Sequence, residues 1–210
     1  MTFIDYIQSF DIAVLDQIQK FFRNTSTNIF WKIISFFGDG GIFLLALGAI
    51  FLLFRKTRKG GLAMLIAIAA GFLIGNLIIK NAVARTRPYD LINLMAPHLA
   101  VEKLSDKSFP SGHTMAALGG AMAMFYVDRK RGIPLVILAV LIMISRLHLY
   151  VHYPSDIIGG AVIALCTSFI GFVAAEHIMT RIEPWLDDKI DLLKAKLQRK
   201  NKVIDDERRQ

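Results

Sequence analysis

Apolar positions run along this chain in stretches of bilayer length. A helix crossing the hydrocarbon core needs about 20 mostly apolar residues. The stretch 61–79 meets this, with Asn76 as its one strongly polar residue. The stretch 157–175 meets it too. The stretch 111–127 is slightly shorter, with His113 near its start, and 133–150 carries Arg146 and His148 near its end. The stretch 42–54 is too short alone. Joined to 29–37 across Gly38-Asp39-Gly40-Gly41, it makes one kinked crossing or a partial span plus an interfacial turn. The pattern therefore predicts an all-α integral membrane protein with about five transmembrane helices.

The two ends carry a different pattern. Phe3, Ile7, Phe10, Val14, Ile18 and Phe21 recur at helical spacing, which predicts an amphipathic helix lying on the membrane surface. Packing of that helix on protein is the competing reading. Asp5 and Asp11, with no basic segment and no unbroken apolar core, argue against a secretory signal. Near the other end, Leu186, Ile190, Leu193 and Leu197 form one stripe, with Pro184 near its start and a charged tail after it, expected to be mobile. The expected organisation is an interfacial helix over 1–27, a transmembrane domain over 28–178, and a C-terminal helix with a charged tail over 179–210.

Composition agrees with this. Of 210 residues, 54% are hydrophobic and 20% charged, and the mean hydropathy is +0.48. Such a chain is neither disordered, collagen-like nor a disulfide scaffold. Cys166 is the single cysteine, so no internal disulfide can form. The net charge of +8 would suggest nucleic acid in a soluble protein, but in a membrane protein positive charge first reports topology. Arg55, Lys56, Arg58 and Lys59 form one basic loop and Arg129, Lys130 and Arg131 another. With five spans, both loops and the tail fall on one side, which is then cytoplasmic. Lys80, Arg85, Arg87, Lys103, Lys107 and Arg146 are left on the outer side, against the trend. Binding an anion would explain positives there.

Ionisable residues at span ends are functional candidates. Lys80 ends one span and Arg87-Pro88 follows. Pro110-Ser111-Gly112-His113 opens the next, and Ser145-Arg146, His152 and Asp156 bridge the last two. All three groups fall on one face of the expected topology. Cations, two histidines and one carboxylate suit a phosphoryl group, since arginine's fork matches phosphate oxygens and lysine adds a point charge. Ser111 can cap the helix that starts there, so the N–H groups of Gly112 and His113 would face an anion. A histidine becomes a nucleophile toward phosphorus when a carboxylate holds its other ring nitrogen, and His152 and Asp156 are four residues apart. His113 is then available to protonate a leaving oxygen.

Lys80-x6-Arg87-Pro88, Pro110-Ser111-Gly112-His113 and Ser145-Arg146-x5-His152-x3-Asp156 together resemble the three signature motifs of the type 2 phosphatidic acid phosphatase family, in order and without a departure. The resemblance covers roughly residues 35–175. It implies metal-independent hydrolysis of a membrane lipid phosphate or diphosphate, with no cofactor. It implies His152 as nucleophile forming a phosphohistidine, Asp156 as its orienting partner and His113 as general acid. Lys80, Arg87, Ser111, Gly112 and Arg146 would hold the phosphoryl oxygens. The family often has six spans; here the N-terminal helix stands where the first would be. Bacterial members of this build recycle undecaprenyl diphosphate or dephosphorylate phosphatidylglycerol phosphate, and the first is the expected reaction. Phosphatidic acid is a further alternative. The expected partners are the lipid substrate and the bilayer, with no nucleic acid, and the expected location is the cytoplasmic membrane with the site outside and the C-terminus inside.

Competing readings are weaker. Ser111, a histidine and Asp156 also suggest a serine hydrolase, but Gly-x-Ser-x-Gly is absent and the cations would be superfluous. An anion or lipid transporter would use the cations but has no need of His113 or the His152–Asp156 pair. A metal held by His148, His152 and Asp156 is disfavoured because Pro154 breaks their common helical face. Arg85 is read as a surface charge or headgroup contact, Asp39 as a local cap, and His98 and His148 as bland.

Overall fold

The computed structural model describes residues 3–22, 25–91 and 106–207, and these divide into two units, 1–175 and 176–210. Among the described residues the regular structure is helical. In the first unit, α1 (Phe3–Phe22) and α2 (Thr25–Phe36) precede a short turn of 3₁₀ helix, Asp39–Gly41, and α3 (Ile42–Leu52). Gly40 and Gly41 have φ of 58° and 68°, a left-handed backbone that glycine adopts without penalty. The crossing expected over 29–54 is thus two helices joined at a kink.

The next segment is helix α4 (Arg58–Gly71), then a π-helical stretch, Phe72–Ile79, then α5 (Lys80–Val83). A π-helical stretch changes which side chains face inward, and such stretches concentrate at functional sites. Here Leu77 and Ile78 are turned outward while Lys80 is buried. A short α6 (Pro88–Leu91) follows. Helix α7 (Gly112–Val127) starts at Ser111, whose Oγ accepts from the N–H of Thr114 at 3.4 Å. Helix α8 (Arg129–His148) starts at Asp128, which caps Arg131 N. Its basic first turn lies inside the helix, ahead of the start expected at 133. Helix α9 (Pro154–Glu207) has its proline at the first position, where no N–H is needed.

Among the described residues four helical segments are long and apolar enough to cross a membrane: Ser26–Leu52, Arg58–Asp90, Arg129–His148 and Pro154–Arg199. The remaining expected span, α7, has 16 residues and forms the middle of the core. Its small residues Ala117, Gly119, Gly120, Ala121 and Ala123 are buried, and Met64, Ile68, Ala139, Ile142 and Ala164 of α4, α8 and α9 share that core with it. Small residues let helices approach where lipid supplies no hydrophobic drive. A Cβ at Gly61 would lie 2.5 Å from Gly48 O, and one at Gly171 would lie 2.5 Å from Ala63 O.

Helix α1 docks through a different face from the one its pattern emphasises. Asp11 and Leu15 are fully buried, and Leu15 packs with Tyr89, Leu149, Tyr150, Val151 and Tyr153. Gln19 Nε2 donates to His148 O at 2.7 Å. Of the apolar stripe, Phe10 and Phe21 are exposed, while Ile7, Val14 and Ile18 are half-buried.

In the second unit the chain is helical through Glu207, so the charged tail continues the helix. Pro184 lies inside that helix rather than near its start. Trp185, Leu192, Leu193 and Leu197 are exposed.

Candidate active site

The site is assembled from three chain segments at the ends of the helices. Lys80 closes the π-helical stretch and points inward, 7% exposed. Arg87, 3% exposed, comes after a sharp turn in which Ala84 has a φ of 50°. His152 lies in the turn between α8 and α9, where Tyr150 has a φ of 60°. A non-glycine residue in that region is strained by about 1–3 kcal/mol. Both strained residues sit directly upstream of a site residue, where the chain has to reverse to deliver it.

A cavity of about 210 Å³ opens among these segments, lined by Lys80, Arg87, Asp106, His113, His152 and Asn76 with several small and apolar residues. Gly112 contributes its backbone at the start of α7, and a Cβ there would come within 3.3 Å of Asn76 Oδ1. That oxygen is buried without a hydrogen-bond partner. The sequence motifs therefore converge as expected: Lys80, Arg87, Gly112, His113 and His152 line one cavity. Ser111 and Arg146 are not among the residues lining it. Ser111 caps α7 from behind. Arg146 is buried on α8 and donates to Ser35 Oγ, while its Nε has no partner.

His152 is held on both sides. Its Nδ1 is 3.3 Å from Asp156 Oδ2 and its Nε2 is 3.3 Å from Arg87 Nη1. An ionised carboxylate only accepts, so the ring proton belongs on Nδ1 and the Nε2 lone pair faces Arg87 and the cavity. Burial lowers the His152 pKa from its ordinary value, and the charges of Arg87 and Arg146 add to that against the opposing pull of Asp156, so the ring is neutral at neutral pH. Asp156 is fully buried and saturated. Oδ2 also accepts from Ser108 Oγ at 2.5 Å and Tyr153 N at 3.0 Å, and Oδ1 accepts from Arg85 Nη1 at 2.8 Å.

Sequence reasoning missed several residues. Asp106 bridges the two cations: Oδ2 accepts from Lys80 Nζ and Oδ1 from Arg87 Nη2, both at 2.6 Å. Burial acts to raise its pKa, but the Lys80 hydrogen bond and the charges of Arg87 and Lys80 outweigh it and hold the carboxyl at about 2. Arg85, expected at the surface or on a headgroup, instead ties Asp156 to Asp11 and Ser155, with its guanidinium 3.9 Å above the Tyr153 ring. Asp39 is not a local cap. Its Oδ1 lies 2.7 Å from His113 Nε2, across 74 residues of chain. His148 Nε2 pairs with Asn28 Oδ1 at 3.0 Å, and its ring packs near Trp31. Lys107 offers its carbonyl, not its charge, to Arg87. Lys103 and His98 lie outside the described residues. Among the described residues no group of three His, Cys, Asp or Glu is arranged to hold a metal ion. The crowding of Lys80, Arg85 and Arg87 within eight positions was the one available signal that Arg85 needs a carboxylate nearby.

Comparison with known proteins shows the family. An undecaprenyl-diphosphatase from Sulfolobus acidocaldarius is 32% identical over 58% of this chain and 58% of its own, so the chain spans under two thirds of that relative. Undecaprenyl-diphosphatase BcrC from Bacillus subtilis is 32% identical over 72% of this chain and 75% of its own. The crystal structure of the first transmembrane PAP2-type phosphatidylglycerolphosphate phosphatase from Bacillus subtilis superposes with a TM-score of 0.68 at 27% identity, covering 82% of this chain and 88% of that one. The family model for the PAP2 superfamily matches residues 60–179, from the first turn of α4 into the first half of α9, with every motif residue of the cavity inside it, and the chain belongs to that superfamily.

Proposed function

We propose that this chain is a metal-independent membrane lipid phosphatase that works through a phosphohistidine. The observation that carries the reading is His152: a neutral, buried imidazole whose Nδ1 faces a saturated carboxylate and whose Nε2 faces an arginine in a cationic cavity. In the proposed reaction Lys80, Arg87 and the N-terminal N–H groups of α7 hold the non-bridging oxygens, with Arg146 adding charge from behind. Nε2 of His152 attacks phosphorus, and the bond to the leaving oxygen breaks. His113 gives that oxygen a proton. Asp156 offsets the positive charge on the phosphorylated ring. Water then attacks phosphorus, His113 takes its proton, the N–P bond breaks and phosphate leaves.

The fold supports a lipid substrate. The cavity wall includes Ile68, Phe72 and Met115, which suit the first carbons of an acyl or prenyl chain. The basic segments 55–59, running into the first turn of α4, and 129–131, the first turn of α8, lie at the ends of the helices opposite the site, and α7 alone, 16 residues long, separates the two ends by about 24 Å. That separation supports an outward-facing site with a cytoplasmic C-terminus in a cell membrane. The names of the relatives favour undecaprenyl diphosphate as substrate, and the structural neighbour favours phosphatidylglycerol phosphate as the second reading.

The test is phosphate release by the purified protein in detergent with EDTA present, from undecaprenyl diphosphate, phosphatidylglycerol phosphate and phosphatidic acid. Wild type is expected to release phosphate and His152→Ala to release none, with undecaprenyl diphosphate giving the highest kcat/KM. Loss of activity in EDTA with rescue by one divalent metal would overturn the mechanism, and a folded wild type inactive on all three lipids would overturn the function.

A further inference from the structure

Helix α1 lies outside the matched family region, yet it reaches the carboxylate behind the nucleophile. Asp11 is fully buried. Its Oδ1 accepts from Ser155 N at 3.0 Å, and its Oδ2 accepts from Ser155 Oγ at 2.5 Å and from Arg85 Nη2 at 2.7 Å. Arg85 turns its other nitrogen, Nη1, to Ser155 Oγ at 2.6 Å and to Asp156 Oδ1 at 2.8 Å. One planar guanidinium therefore spans two buried carboxylates, with its face on the Tyr153 ring. We infer that Asp11 and Arg85 form a positioning relay through which α1 sets the orientation and charge of Asp156, and through it His152. The inference rests on the reading of Asp156 as the partner of a His152 nucleophile.

Two effects act on Asp156. Asp156 can rotate about its terminal torsion, and only one setting aims Oδ2 at the imidazole. Arg85 occupies Oδ1 and so removes the other settings. Charge supplies the second. Arg85 alone would neutralise Asp156, leaving little negative charge to offset a phosphohistidine. Asp11 shares the arginine, so the trio keeps one net negative charge beside His152. Both buried acids and the buried face of Arg85 then have partners, which is the condition for tolerating charges at this depth. Neither Asp11 nor Arg85 lines the cavity, so neither has to touch the substrate.

The variants are Asp11→Asn, which keeps size but removes the charge, and Arg85→Lys, which keeps the charge but removes the fork. Each is checked for folding by size exclusion and thermal melting, and Arg85→Lys serves if Asp11→Asn does not fold. Outer-shell partners of metal-ligating histidines typically change activity by about 10- to 100-fold when altered, and a positioned histidine nucleophile is held in the same way. That loss is expected in kcat, with the inhibition constant of inorganic phosphate unchanged within about twofold. In an Asp156→Asn background, Asp11→Asn is expected to add no further loss. An unchanged kcat, a loss expressed in phosphate affinity, or full additivity with Asp156→Asn would each overturn the relay. A readout independent of turnover separates this from failure of the phosphatase reading. In ¹⁵N-histidine-labelled protein the His152 Nδ1–H proton, assigned by its absence in His152→Ala, is expected to move or broaden in Asp11→Asn; an unmoved signal overturns the relay even if wild type proves inactive.

Discussion

Asp106 and Lys80 meet in the wall of the cavity, Oδ2 to Nζ at 2.6 Å, while the other carboxylate oxygen takes Arg87. The two cations proposed to hold phosphate thus already hold an internal anion. A phosphoryl group has to displace that carboxylate or share the cations with it. Asp106 is half exposed, so its hold is that of a partly solvated ion pair, on the order of 1 kcal/mol. Asp106→Asn is therefore expected to lower the inhibition constant for inorganic phosphate by about three- to tenfold. A raised constant would show that Asp106 instead arranges Lys80 and Arg87 for the substrate.

The same carboxylate predicts a pH dependence of stability. Its pKa is held at about 2 in the folded chain, against an ordinary 3.8. A depressed folded pKa stabilises the fold above the unfolded value and loses that contribution as pH falls through the folded one. The Tm difference between wild type and Asp106→Asn in detergent is expected to be constant above about pH 5. It should shrink between 3.8 and about 2. A difference that stays flat through this window would remove Asp106 as the cause.

Asp39 and His113 form the second carboxylate–imidazole pair, 2.7 Å apart. The carboxylate holds the Nε2 proton of the proposed general acid and stabilises the doubly protonated ring, whose other proton, on Nδ1, is the one given to the leaving oxygen. An amide in its place accepts and donates equally, so the ring loses its fixed tautomer. Asp39→Asn is expected to lower kcat by about tenfold or more for an alkoxide leaving group, which needs the proton. The loss should be smaller for a phosphate leaving group. Equal losses on phosphatidic acid and on undecaprenyl diphosphate would contradict this role.

Gly38 is where α2 and the kink let His113 in. A Cβ there would stand 2.8 Å from both His113 Cδ2 and Ile142 Cγ2. Overpacking of this kind typically costs about 1–3 kcal/mol. Gly38→Ala is expected to lower Tm and to reduce kcat, with the inhibition constant of inorganic phosphate within about twofold of wild type. Wild-type kcat in the folded variant would mean that His113 has room to move without consequence.

The hydrophobic pattern by itself determined the helical membrane class and the apolar stretches that become its helices, because such stretches are specified by local composition and length. It also marked Lys80, Arg87, Gly112, His113 and His152 as candidates, since they fall at or between the ends of apolar stretches, and the structure brings them to one cavity. What lies behind them was decided by the tertiary structure. Arg85 looked like a spare surface charge because its partners, Asp11 and Asp156, are 74 and 71 residues away and on other helices. Asp39 looked local for the same reason. Helix α1 advertised its apolar stripe, yet its docking is through Asp11, Leu15 and Gln19, because a buried carboxylate is stable only where a cation and N–H groups converge on it. Periodicity reports which face avoids water; it carries no information on which distant charge a buried one must meet.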